Sequence, residues 1–245
     1  MKKAMFGLAC AAAMVACADI TSSNIVGYTN KDAGADFSLV IPMFQAVGSD
    51  SYDIQTIIPQ GENAVGYGDV NMQTFTTDAN ADETFLWLTV ADMGVEEDGW
   101  YNEDMSTKAE KIFAPGEGFM LCAGAGAISL NFAGEVNAAE VTVNVPADFS
   151  LLGNIRPTGV SIQTIIPQGE NAVGYGDVNM QTFTADANAD ETFLWLTVAD
   201  MGVEEDGWYN EDMSTLADKV FAPGEGFMLC AGAGACQLKF SAMGL

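Results

Sequence analysis

The chain is predicted to be all-β, built as two tandem, near-identical β-sandwich or small β-barrel domains of about six to seven short strands each. Three observations predict this. Residues Ile54–Ala127 return as Ile162–Ala235 at a fixed offset of 108, with 70 of 74 positions identical. Within each copy, short apolar runs with two-residue alternation are punctuated by Pro, Gly and acidic turns. No long stretch has the 3.6-residue periodicity of an amphipathic helix. The four differences between the copies are Thr77/Ala185, Lys108/Leu216, Glu110/Asp218 and Ile112/Val220. Self-similarity on this scale means that one fold unit is used twice.

The first residues read as an export signal. Lys2 and Lys3 precede the apolar run Ala4–Val15, and Ala16-Cys17-Ala18 offers a small-residue cleavage site. A bilayer-spanning helix needs about 20 apolar residues, more than this run supplies. Cleavage after Ala18 makes residues 1–18 the signal peptide and Asp19 the start of the mature chain. Met14-Val15-Ala16-Cys17 is the competing signal, a lipobox that would anchor the protein through Cys17. The first β-repeat domain is then 19–136 and the second 137–245.

The repeat begins before its near-identical part. Ala35–Leu39 recurs as Ala147–Leu151 at an offset of 112, so the connection through Met43–Tyr52 is longer than the one through Arg156–Val160. Strand-like runs precede both matches, at Asn24–Asn30 and at Val141–Val145; in the latter Val141, Val143 and Val145 alternate with polar residues. Ile54–Ile58 reads as a single helical turn stopped by Pro59 and Gly61. Val70–Thr76 reads as a strand. Phe85-Leu86-Trp87-Leu88 is apolar on both alternating faces, which marks a central buried strand. Gly99-Trp100-Tyr101 starts another strand after an acidic turn. Pro115-Gly116 turns the chain into Gly118–Ala123. The glycine-rich loop 123–127 then leads to Ile128–Phe132, with Ile128, Leu130 and Phe132 on one face. A regular hairpin across that loop, in its second copy, would set Cys230 opposite Cys236 and within reach of a disulfide, which export permits. Cys122 faces Ile128 in the first copy and has no such partner.

The exported-repeat reading gains a resemblance here. Phe149–Asn154, then Ile162–Pro167, then Pro223-Gly224-Glu225-Gly226-Phe227 with a closing strand resemble exported β-repeat proteins of the planctomycete–verrucomicrobia group of bacteria. In the first unit Asn131–Val136 closes the same way. The resemblance spans both units. It implies a secreted, β-rich protein with no assigned activity, and it brings no catalytic residues.

Charge narrows the function. The formal charge is −26, from 34 acids and 8 bases, with no histidine and Arg156 as the sole arginine. Loss of Lys2 and Lys3 with the leader takes the charge to −28. Such a surface repels phosphate backbones and anionic membranes, so nucleic acid is excluded as a partner. Without histidine, the commonest general base and a major metal ligand are missing. Gly66-Tyr67-Gly68 and Gly124-Ala125-Gly126 open no helix after a strand and sit among acids, which rules out a phosphate loop.

Candidate ligand sites remain in the acidic turns. Asp78-x-Asn80-x-Asp82 and Asp186-x-Asn188-x-Asp190 have the alternating oxygens of the first half of a calcium loop. The glycine expected next is Glu83, and the closing glutamate is Thr89, so a solvated acidic turn is the competing reading. Asp92–Asp104 and Asp200–Asp212 are dense in carboxylates and read first as solvated acidic loops; beside them Trp100 and Trp208 are core residues or, of the tryptophans, the ones best placed for ligand contact. No pair of carboxylates stands at opposed catalytic positions. The sequence thus reads as a non-catalytic structural or interaction protein of the cell surface or extracellular space, acidic and prone to self-association under salt or calcium control. The alternative is a calcium- or carbohydrate-binding tandem module. Calcium is the single cofactor left open.

Overall fold

The computed structural model describes residues 26–46, 51–75, 81–184 and 188–243. Residues 1–25, with the expected leader and Cys17, lie outside them, as do Asp78, Asn80 and Asp186. The described chain is all-β. The first repeat contains β1 (Val26–Ala33), β2 (Asp36–Val40), β3 (Tyr52–Asp53), β4 (Ile58–Gln60), β5 (Tyr67–Phe75), β6 (Ala81–Leu88), β7 (Gly99–Asn102), β8 (Ile112–Phe113), β9 (Phe119–Ala123) and β10 (Ile128–Glu135). The second contains β11 (Val141–Val145), β12 (Asp148–Gly153), β13 (Val160–Ser161), β14 (Ile165–Gln168), β15 (Tyr175–Phe183), β16 (Ala189–Leu196), β17 (Gly207–Asn210), β18 (Val220–Phe221), β19 (Gly226–Ala231) and β20 (Cys236–Phe240). One-turn helices α1 (Val90–Met93) and α2 (Val198–Met201) interrupt the acidic loops.

Each repeat makes an antiparallel five-stranded sheet, β2-β9-β5-β6-β7 or β12-β19-β15-β16-β17, and a three-stranded one, β1-β10-β4 or β11-β20-β14. Short pairs, β3-β8 and β13-β18, complete them. The four larger sheets are arranged like the blades of a propeller. Two apolar cores lie between them. The first joins Met72, Trp87 and Phe119 of the five-stranded sheet to Leu130 and Phe132 of the three-stranded one, and the second joins the matching residues of the other repeat. Strand β6 is apolar on both faces for a visible reason. Phe85 and Trp87 enter the main core, while Leu86 and Leu88 pack with Tyr101 and Val95 under the acidic loop.

Two local expectations are corrected. Pro59 does not stop the chain, because it lies within β4, an edge strand where its missing N–H has no ladder partner to disappoint. The glycine-rich loops are not hairpins. Strand β9 pairs with β2 and β5, whereas β10 pairs with β1 and β4, so loop 123–127 carries the chain from one sheet to the next. The same holds for β19 and β20. Cys230 therefore neighbours Phe149 and Asn179, and Cys236 neighbours Val145. Cys236 is in the core, Cys230 is on the opposite face from Leu229, and both thiols are free.

A side-chain lock joins the sheets within each repeat. The one-turn 3-10 helix Ile54–Thr56 presents Gln55 to β7. Gln55 Nε2 donates to the carbonyls of Trp100 and Ala109, both at 2.8 Å, and its Oε1 accepts from Trp100 N at 3.1 Å. Trp100 Nε1 returns a bond of 2.6 Å to the carbonyl of Ile57. Gln163 and Trp208 repeat every one of these contacts. Glycine is required beside the amide: a Cβ on Gly99 would lie 2.6 Å from Gln55 Oε1.

The repeats meet edge to edge. Ile41 N donates to Gly224 O at 3.2 Å, Gly118 N donates to Leu151 O at 2.8 Å, and Val40 bridges Glu225. Gly118 faces Ile41 and Leu151, and its counterpart Gly226 faces Leu39, which stands where Leu151 does in the other copy. The contact is thus approximately two-fold.

Arg156 fastens the second repeat to its linker. The side chain is 2% exposed and donates to four carbonyls: Asn137, Ala139, Phe240 and Ser241. Burial lowers its pKa, and its charge is met by carbonyl dipoles rather than by a carboxylate. Hydrogen bonds from charged donors are worth about 1.5–3 kcal/mol each, and orphaned buried carbonyls add a penalty. Arg156→Ala is expected to lower unfolding free energy by about 3 kcal/mol in urea titration. Hydrogen exchange would show β11 and β20 opening before β1 and β10.

Candidate functional site

The acidic loops are turn-building devices at the level of individual atoms. Thr89 caps α1 and exchanges hydrogen bonds with Asp92, whose Oδ2 accepts from Thr89 Oγ1 and from Gly66 N, each at 2.8 Å. Asp98 Oδ1 accepts from Val90 N at 2.7 Å, folding the loop back on the helix. Asp104 Oδ1 accepts from the amides of Ser106 and Thr107 at 2.9 and 2.8 Å, holding a turn in which Met105 takes φ 56°. Glu97 pairs with Lys108. Asp200, Asp206 and Asp212 repeat the three caps, but Leu216 replaces the lysine.

Hydrogen bonding also sets the charges. The Thr89 hydroxyl and the Gly66 amide hold the Asp92 carboxyl below its usual range, and the Gly174 amide and Thr197 hydroxyl do so for Asp200. The amides of Ser106 and Thr107 bring Asp104 down to about 2, and those of Ser214 and Thr215 lower Asp212. These are signs of carboxylates fixed by local donors, whereas a general acid requires a raised pKa.

The sequence-predicted ligand residues separate. Trp100 and Trp208 are not contact aromatics: both are 0% exposed, each bonded through Nε1 as above, and each edge-on to its strand neighbour, Trp87 or Trp195, at 5.6 Å. Of the two positions the sequence leaves open for these indoles, core or ligand contact, strands β7 and β17 give them the core. Of the calcium candidates, Asp82, Asn188 and Asp190 are exposed at the entries to β6 and β16. No group of three or more metal-ligating side chains forms among the described residues. The aromatics that do reach solvent are Tyr28, at 66%, and Tyr67 and Tyr175, at 55%. Sequence reading missed these, as it missed Gln55 and Gln163; tyrosine in a strand carries no mark of which face it will occupy. No helix among the described residues is long and apolar enough to cross a membrane.

Protein-family models, curated proteins and solved structures yield no match to this chain. The reading of the site therefore rests on its own geometry.

Two outcomes follow from that geometry. A carboxylate with a lowered folded-state pKa stabilises fully above its unfolded value near about 4 and loses that contribution as pH falls through the folded value. The urea-midpoint difference between the wild type and Asp104→Ala should therefore be constant above about pH 4 and shrink between about pH 4 and pH 2. All four tryptophans are at least nine-tenths buried. Iodide should leave native fluorescence nearly unquenched, and quenching should appear only on unfolding.

Proposed function

We propose that the protein is an exported, non-catalytic structural or interaction protein of the cell surface or extracellular space. In this reading each repeat acts as one β-sandwich domain, its layers being the two sheets that share a core. The observation that supports it best is the use of the acidic loops. Their aspartates act as caps and turn anchors, and what remains is an acidic outer surface with few cations. Sequence features support the same reading: a leader of secretory type, a tandem repeat and the absence of histidine.

For such a chain, association is governed by like-charge repulsion. The screening length falls from about 30 Å at 0.01 M salt to about 10 Å at 0.1 M, and divalent ions bridge carboxylates more effectively than monovalent ones. Light scattering coupled to chromatography tests this on the chain from Asp19 onward. The expected result is a monomer at low salt and larger assemblies in moderate salt with millimolar calcium. A monomer under both conditions would remove calcium-driven assembly.

The second reading, a carbohydrate-binding module, moves from the tryptophans to a different face. Tyr28 projects from the outer side of β1 and donates to Asn131 Oδ1 at 3.2 Å, beside Asn30 and Ser129. An exposed ring flanked by amides suits a sugar. A glycan array compared between wild type and Tyr28→Ala separates it from the first reading.

A further inference from the structure

The approximate two-fold between the repeats creates two related clefts, and their difference is informative. Register fixes the equivalence. Lys31 on β1 stands opposite Leu130, and Val143 on β11 stands opposite Leu238, the same position one repeat later. Both residues thus lie on the inner face of their three-stranded sheet, toward the other repeat. Lys31 is half-buried there; burial lowers its pKa, and the negative charge of Glu225 across the repeat boundary offsets part of that. Glu225 holds a second cation, Lys219, at 3.2 Å.

On the other side the arrangement lacks its central cation. Glu117 corresponds to Glu225 and pairs with Lys111 at 2.7 Å, but Val143 occupies the place of Lys31. A cleft of about 270 Å³ opens there between the repeats, walled by Phe75, Phe149, Pro146 and Leu151, with Glu117 in its lining. Its lining also includes Ser150, whose Oγ is buried and has no hydrogen-bond partner. An apolar cavity with few polar groups is the usual form of a small-molecule site.

We propose that this cleft binds a small organic cation, a primary ammonium on an apolar body of a few carbons, at the position that corresponds to the half-buried Lys31 side chain of the other copy. The apolar body packs between Phe75 and Phe149. The ammonium, with three donors, reaches Glu117. The rest of the molecule favours such a ligand, because a strongly acidic protein concentrates small cations at its surface.

Hexylammonium chloride is the probe, titrated into the mature chain at constant ionic strength and followed by NMR at the Val143 and Leu151 methyls and the Ser150 amide. Hexanol and hexanoate are the neutral and anionic controls. The expected result is saturable binding at one site, with both controls weaker. Val143→Lys, which copies the occupied cleft, and Glu117→Gln should each weaken binding by about tenfold or more. Lys31→Val should open the second cleft and raise the stoichiometry from one to two. Unchanged affinity in Val143→Lys would overturn the proposal. So would hexanol binding as tightly as hexylammonium, or shifts that spread over the acidic surface without saturating. If Val143→Lys fails to fold, the stoichiometry of Lys31→Val decides, and a value that stays at one overturns the assignment.

Discussion

The reciprocal bond between Gln55 and the backbone of Trp100, copied by Gln163 and Trp208, is the constraint around which each repeat is assembled. It ties a 3-10 turn that leads into the three-stranded sheet to the edge strand of the five-stranded sheet. The same amide satisfies the carbonyl of Ala109, so the segment that covers the free edge of β7 is held as well. With the sheets fixed at this point, the indole of Trp100 has one place to go, which is into the core beneath Ile57. A buried polar network of this kind is valuable because every member is satisfied. Loss of the amide would leave the Ala109 carbonyl and the Trp100 N–H unpaired at once, while the Trp100 carbonyl kept its bond from Ala109 N.

This lock also explains why the acidic loops read so differently in sequence and in space. From sequence, a run of carboxylates beside an indole looks like a ligand platform. In space the indole belongs to the layer beneath, and the carboxylates hold the loop that passes over it. Asp92 reaches back to Gly66, Asp98 reaches α1, and Asp104 closes the next turn. Leu86, Leu88 and Tyr101 lie under this loop as a small separate core. The loop thus serves as a lid whose acids do local work, and its net charge is a by-product felt by the surroundings.

Much of the architecture was legible in the residues. The alternation in Val141–Val145 and Ile128–Phe132, and the two-sided apolarity of Phe85–Leu88, are direct consequences of strand geometry and burial. Strand partners were not legible. Loop 123–127 has the composition of a hairpin, yet β9 and β10 enter different sheets, because long-range pairing with β2, β5, β1 and β4 outweighs what a local turn prefers. The cysteine pair fails with it. Side-chain direction is legible only where periodicity runs long enough, which is why Trp100 stays open between core and ligand contact and Tyr28 carries no signal. Gln55 had no signature, since an amide's role is defined by the backbone groups it meets.

The two copies agree through Ile54–Ala127 and Ile162–Ala235 and at Ala35–Leu39 and Ala147–Leu151, and they diverge in the segments around these. Lys31 and Val143, Phe44 and Arg156, and Pro42 and Asn154 are corresponding pairs that share no chemistry. The seam draws on both kinds of residue: Gly118 and Gly226, and Leu39 and Leu151, are shared, whereas Ile41 corresponds to Gly153. Ile41 packs against Gly153, its own counterpart, and a Cβ there would lie 2.3 Å from Ile41 Cγ1, so a first copy complements a second better than it complements another first. Two units so addressed form a closed pair instead of the opening links of an endless ladder. Growth into any larger object must then recruit faces that this seam leaves untouched.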